Sequence, residues 1–170
     1  MRLFVILGAA AALLTATPGA AEPPAMPPPP RKSTEGVETA RLFVEQLFAV
    51  YTTEDVPDLF GKPELTFEPE LAAAIATLSA RMEQGGYMPG SFGADPLCNC
   101  QDYGDVSYRI DSVGQINERA TVIVAFSNFG QVERRRIELL RTPAGWRVFD
   151  IDGTFRSSVM ADLAEPQDQP

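Results

Sequence analysis

ATVIVAFSNFGQVERRRIELLR, residues 120–141, is the stretch that decides how this chain folds. Val122, Ile123, Val124 and Phe126 make 120–126 a strand, because β-branched and aromatic side chains fit a pleated surface. Asn128-Phe129-Gly130 then supplies turn chemistry, since asparagine and glycine tolerate the positive φ of a tight hairpin. Residues 132–141 form the returning strand. Connections this short allow only antiparallel pairing of consecutive strands. The pattern continues in both directions. Residues 106–113 read as a strand with Val106, Tyr108 and Ile110 on one face, and 114–117 turn the chain. Pro143-Ala144-Gly145 is a tight turn leading into a fourth strand over 146–151. There Trp146, Val148 and Asp150 share one face, and Arg147, Phe149 and Ile151 the other. A short helix over 159–163 follows.

Upstream of the sheet the period changes. Val37, Ala40, Val44, Leu47, Phe48 and Tyr51 recur every three or four residues, which predicts a helix from a cap at Ser33 or Thr34 to about Tyr51. Glu35 suits its positive end. Residues 52–61 break the pattern with Pro57 and Gly61, leaving a helical turn around Leu59. A second helix starts at Pro69, with Glu68 and Glu70 at its N-terminus. Its buried face is Leu71, Ile75, Leu78 and Met82, and Gly85-Gly86 stops it. The connection 87–104 is long enough to be functional in its own right. Helices followed by an antiparallel meander predict an α+β fold: N-terminal helices packed on a curved four-stranded antiparallel sheet.

The ends of the chain carry addressing and tethering signals. Arg2, the apolar run 3–14 and the small residues Gly19 and Ala21 have the form of a secretory signal peptide over 1–21. The run is too short to serve as a permanent membrane span, which needs about 20 residues. Residues 22–32 contain EPPAMPPPP, a stiff extended linker. A single domain is expected over 33–164, with a polar tail over 165–170. The mature protein is therefore expected to be exported, to the periplasm in a Gram-negative source, with no membrane insertion after cleavage.

Composition excludes several chemistries. The chain has no histidine, which removes Ser-His-Asp and Cys-His catalysis, His-ligated zinc and histidine bases. It carries 14 Lys+Arg against 23 Asp+Glu, a net charge of −9. Such an acidic chain repels phosphate backbones, so nucleic acid is not expected as a partner. No cofactor is expected either.

Candidate residues cluster in two places. Cys98 and Cys100, the only cysteines, flank Asn99. Export favours their oxidation to a disulfide, which could act as a loop clip or as a redox-active dithiol. Ligation of a soft metal would need two more ligands, and Asp95, Asp102 and Asp105 are poor ones, so no metal site is assigned. Gln101 and Asp102 follow directly and are binding candidates, with the alternative that Asp102 caps a turn. Trp146 and Asp150 are the second pair of binding candidates. If their strand face is concave, Asp150 lies at a pocket; if convex, it is a solvated acid. Arg134-Arg135-Arg136, with Glu133 and Glu138, reads as a salt-bridged sheet surface or, more sharply, as a site for an acidic partner.

Residues 92–102 ending in Gln101-Asp102, the strand 120–126 and Gly145-Trp146-Arg147-Val148-Phe149-Asp150-Ile151 together resemble a bacterial exported family known as a domain of unknown function. That family is similar to the nuclear-transport-factor-2-like (SnoaL-like) superfamily. The resemblance spans about 37–163. It implies a cone-like fold, with helices across a strongly bent sheet and a cavity between them. It brings no agreed activity, because the superfamily holds isomerases, dehydratases, epoxide hydrolases and non-enzymatic members. The chain departs from the dehydratase pattern in lacking histidine, and the motifs assign no catalytic residue. The expectation is a non-enzymatic binding or interaction module for a small ligand or an envelope protein, with a homodimer through the sheet permitted. The alternative is a small-molecule enzyme using carboxylates in the cone-shaped pocket, with Asp102 and Asp150 as its acids.

Overall fold

The computed structural model describes residues 34–53, 58–85 and 88–166. Residues 1–33, 54–57, 86–87 and 167–170 lie outside them, and with them the expected signal peptide, the proline-rich linker, the Ser33 cap, the Pro57 break and Gly86. Four strands, β1 (Ser107–Ile116), β2 (Arg119–Asn128), β3 (Gln131–Thr142) and β4 (Gly145–Ile151), form one antiparallel sheet in the order β1-β2-β3-β4. Among the described residues three α-helices precede it: α1 (Thr34–Ala49), α2 (Pro63–Thr66) and α3 (Pro69–Gly85). A fourth, α4 (Phe155–Ala164), follows. The expected α+β architecture is the one formed. No helix among the described residues is long and apolar enough to cross a membrane.

Helix α1 lies on the sheet because it buries one stripe. Gly36, Ala40, Val44 and Phe48 recur every four residues and are buried. Gly36 permits the close approach, since a Cβ there would collide with the Gln115 side chain of β1. Phe48 then packs at a tilt among Tyr51, Tyr108 and Phe126, with ring centroids 5.7–6.0 Å apart. On the sheet the same core receives Ala120, Val122, Val124 and Phe126 of β2 and Ile137 and Leu139 of β3. Leu71, Ile75 and Leu78 of α3 complete it.

The turns follow the backbone rule more closely than the glycine count. Phe129 and Gly130 join β2 to β3 with φ of 47° and 76°, both left-handed, as a two-residue hairpin turn requires. The first hairpin turns at Asn117-Glu118 and not at Gly114, which lies within β1. Asn117 itself takes φ 54°, so no glycine is needed there. The four-residue α2 has no counterpart in the sequence reading, because one turn carries no periodicity.

A bulge changes the facing of β4. Leu139 pairs with Val148, but Glu138 pairs with Asp150, so Phe149 is an extra residue. Ile151 pairs with Ile137 and joins Trp146 and Val148 in the core, against the alternation expected from sequence. Asp150 is taken out of line and is buried, so it is not a solvated strand-end acid.

Glu68 locks α3 to β4 and α4. Its carboxylate accepts hydrogen bonds from the Leu71 and Glu70 amides at 2.9 and 3.1 Å and pairs with Arg156 of α4. Its own amide donates to the Val148 carbonyl at 2.9 Å. Burial pushes the Glu68 carboxyl upward. The Arg156 hydrogen bond, the two amides and the Arg156 charge outweigh that and hold it below the usual glutamate range. The unfolded chain therefore binds this proton more readily than the folded one. The stabilisation is complete above the ordinary glutamate range and fades as pH falls through the depressed folded value. Urea titrations should show stability falling below about pH 5, and Glu68→Gln should flatten that slope while costing about 1–2 kcal/mol near neutrality.

Candidate functional site

The connection between α3 and β1 is tied together at nearly every point. The Asp95 amide donates to the Cys100 carbonyl at 2.9 Å, and the Asn99 amide to the Asp95 carbonyl at 2.8 Å. The Asp95 carboxylate accepts from the Leu97 amide at 2.8 Å and from the Tyr51 hydroxyl at 2.6 Å. Cys98 and Cys100 form a disulfide inside this turn. Leu97 is fully buried and anchors the loop in the core.

Arg135 holds the loop against the sheet. It lies in register opposite Val124, on the same face as Ile137 and Leu139, so its side chain points inward. The guanidinium donates to the Leu97 carbonyl at 3.1 Å and the Pro96 carbonyl at 2.8 Å. It also pairs with Asp152 at 2.5 Å. Asp152 in turn accepts from the Arg136 amide at 2.7 Å. One buried cation thus joins the disulfide loop, β3 and the turn that enters α4.

Between that loop and α4 lies a cleft of about 380 Å³, lined by Ser91, Asp95, Asn99, Arg135, Asp152 and Ser158 among others. Asn99 is exposed at its rim and held at φ 54°. The Ser91 hydroxyl is buried and has no hydrogen-bond partner among the described residues. Burial, together with the charge and hydrogen bond of Asp95, pushes the Tyr51 phenol far above the usual tyrosine range, with Arg135 opposing. Tyr51 is therefore a neutral donor fixed on Asp95, unsuited to acid–base work near neutral pH. The cleft offers fixed hydrogen-bonding groups, and the cysteines beside it are oxidised. No three His, Cys, Asp or Glu side chains among the described residues converge as a metal would need.

The sequence-nominated residues fall into different places. Gln101 is exposed and donates to the Gly93 carbonyl at 3.1 Å. Asp102 is exposed as well, and its main-chain carbonyl accepts from Asn128 at 2.9 Å. The side chain that caps the entry to the sheet is Asn128, which also accepts from the Gly104 amide at 2.9 Å. Trp146 is buried and donates to the Thr39 hydroxyl of α1 at 3.0 Å. Asp150 accepts from the Ile151 and Arg156 amides at 2.7 and 2.9 Å, capping the first turn of α4. Asn128 pairs with Gln131 and Trp146 with Arg141, so Asp102 and Trp146 stand at opposite ends of β3. The four candidates do not converge. Asp95 enters the sequence reading only as a poor metal ligand and Arg135 only as a member of the arginine triplet. An arginine in phase with Ile137 and Leu139 was the available signal for Arg135.

No family model matches the chain, and neither does any curated protein. Two solved structures are similar. One is a chain of the type VI native effector–immunity complex Tae3–Tai3 from Ralstonia pickettii, at 17% identity and a TM-score of 0.41, covering 72% of this chain and 95% of that one. The other is the intermembrane space region of the chloroplast protein ARC6, at 17% identity and a TM-score of 0.41, covering 72% of this chain and 97% of that one.

The disulfide adds little to what Asp95 and Arg135 already hold. A ring closed between residues two apart removes little chain entropy, so reduction should lower stability by only about 1–2 kcal/mol. Urea denaturation with and without reductant measures this, and thiol counting on the native protein should find no free thiol.

Proposed function

We propose that this chain is an exported binding module, acting without catalysis, that takes a small ligand or an envelope partner at the disulfide-closed loop and its cleft. The observation that carries the reading is the seating of that loop by Arg135. A surface segment held by a buried cation, an internal carboxylate and a disulfide is a rigid platform, and rigid platforms are where loops carry recognition. Asn99, exposed at the rim and held in its left-handed conformation, gives the cleft a polar side chain that can meet a ligand. The formed disulfide supports an oxidising compartment, in agreement with the leader-like residues 1–21. Membership of the exported family resembling the SnoaL-like superfamily is part of the same proposal. Catalysis by Asp102 and Asp150 lacks support. Asp150 Oδ1 is taken by two main-chain amides, and Asp102 lies beside the β2–β3 hairpin, away from it.

Site-specific photo-crosslinking in the producing cell tests the reading, with the photoreactive residue at Asn99 or at Glu83 on α3. A discrete adduct from position 99, absent from position 83, is the expected result. Native mass spectrometry of the envelope-purified protein would then give the mass of a retained small ligand. No adduct at 99 together with an unloaded mass would overturn the binding site, and recovery from the cytoplasm with residues 1–21 intact would overturn export.

A further inference from the structure

The charge of this protein is segregated along the chain. Residues 34–106 carry three cations, Arg41, Lys62 and Arg81, against thirteen acids. Residues 107–151, the sheet, carry seven arginines against five acids. Six of those arginines remain once the inward-pointing Arg135 is set aside, and the strand register shows where several of them go.

Arg109 and Arg134 flank Ala125 on adjacent strands, and Arg136 lies beside Ile123. These residues occupy the face opposite the one that receives α1, since Val122, Val124 and Phe126 of β2 point into the core. The bulge at Asp111 sets its carboxylate between Arg109 and Arg134, to which it pairs at 2.8 and 3.2 Å. One acid thus serves two arginines, and Arg136 pairs with Glu138 on the same face at 2.6 Å, so three arginines stand against two acids and one positive charge remains. The hydrogen bond from Arg109, reinforced by Arg134, holds Asp111 below the usual carboxylate range, so it does not release them by protonating near neutral pH. Arg109, Arg134 and Arg136 keep 74, 71 and 54% of their side-chain surface exposed.

Apolar ground adjoins the arginines at both ends. Gly114 has no side chain and open space above it, which leaves a groove of about 690 Å³ floored by Gly114, Thr121 and Leu140 and bordered by Ile116 and Arg119. Val132, on the same face two residues from Arg134, and Phe129 at the hairpin tip are 67 and 61% exposed. Arginine with exposed aromatic and aliphatic anchors is the composition of protein interfaces.

We propose that this open sheet face is a docking surface for a partner protein that presents carboxylates around an apolar anchor. It is a site distinct from the loop cleft and does not depend on it. Charge complementarity selects the occupant. The whole chain carries −9, so long polyanions such as nucleic acid or an anionic bilayer are repelled at a distance. A compact acidic surface with an apolar anchor can face the exposed Arg109, Arg134 and Arg136 while its anchor enters the groove, away from the acids elsewhere on the chain.

The test uses the full chain and a labelled twelve-residue peptide of glutamates with two central leucines as the probe. Binding by fluorescence anisotropy should weaken about tenfold between about 50 and about 300 mM salt. Arg134→Glu/Arg136→Glu should weaken it at least about tenfold at low salt. Arg134→Gln/Arg136→Gln, a milder change on the same face, should give a smaller loss in a protein whose thermal unfolding is unchanged. Arg41→Glu/Lys62→Glu matches the change in total charge away from the sheet and should leave binding within about twofold. No binding at low salt, or equal loss in the control pair, would overturn the proposal. So would self-association in sedimentation, or binding to anionic phospholipid vesicles, if the sheet-face variants abolish it, because the occupant would then be a second copy or a membrane.

Discussion

Replacing Arg135 with methionine should destabilise the protein by about 3 kcal/mol, although the volume and the sheet position are nearly preserved. Three groups lose their partner together. The Pro96 and Leu97 carbonyls, in buried residues, lose the hydrogen bonds that hold the disulfide loop, and Asp152 loses its cation. Unpaired buried acceptors each cost about 1–3 kcal/mol, and the partly exposed Asp152 recovers some solvation, which tempers the total. Arg135→Lys should restore little of the loss, because one ammonium cannot span two carbonyls and a carboxylate as a planar fork does. Urea denaturation at neutral pH measures the difference. A double-mutant cycle with Asp152→Asn should show a coupling of about 1 kcal/mol or more. The loss should exceed that on reducing Cys98–Cys100, and that order separates the buried cation from the disulfide as the loop's main anchor. Equal losses would mean that Arg135 is replaceable by water.

Phe48→Ala should cost more, about 3–5 kcal/mol. The ring is fully buried and touches Tyr51, Tyr108 and Phe126, so truncation forfeits transfer energy and three aromatic contacts and leaves a cavity the rigid sheet cannot close. Against a total stability of about 5–15 kcal/mol for a typical domain, that is a large fraction. Phe48→Leu, which keeps most of the volume, should cost no more than about 1.5 kcal/mol. Chemical denaturation of both variants gives the comparison. Near-equal values would show that the ring's edges, and not its bulk, matter.

Both effects originate in features of unequal visibility. Phe48 lies on a stripe with four-residue spacing, so its burial is legible in the sequence. Arg135 sits inside a triplet that looked like a solvated charge run. Two of its members behave that way: Arg134 pairs with Asp111 and Arg136 with Glu138 at the surface. The middle one points inward because successive residues of a strand face opposite ways. Asp150 shows the reverse case. Alternation placed it in line with Trp146 and Val148, and one extra residue, Phe149, undid the count. Bulges leave no mark in composition, because any residue can occupy them.

What the chain's own order determined was the run of helices followed by four antiparallel strands, the hairpin at Phe129-Gly130 and the absence of histidine chemistry. Each of these depends on spacing or composition within a short stretch, where periodicity and backbone preference act directly. The tertiary structure alone decided which arginine of the triplet became internal, where Asp150 found its amides, and how the disulfide loop was seated. Those outcomes join groups far apart in sequence, such as Arg135 and Pro96, 39 residues away. They are set by strand register and by the cost of leaving a buried polar group unpaired, and neither is written in any local pattern.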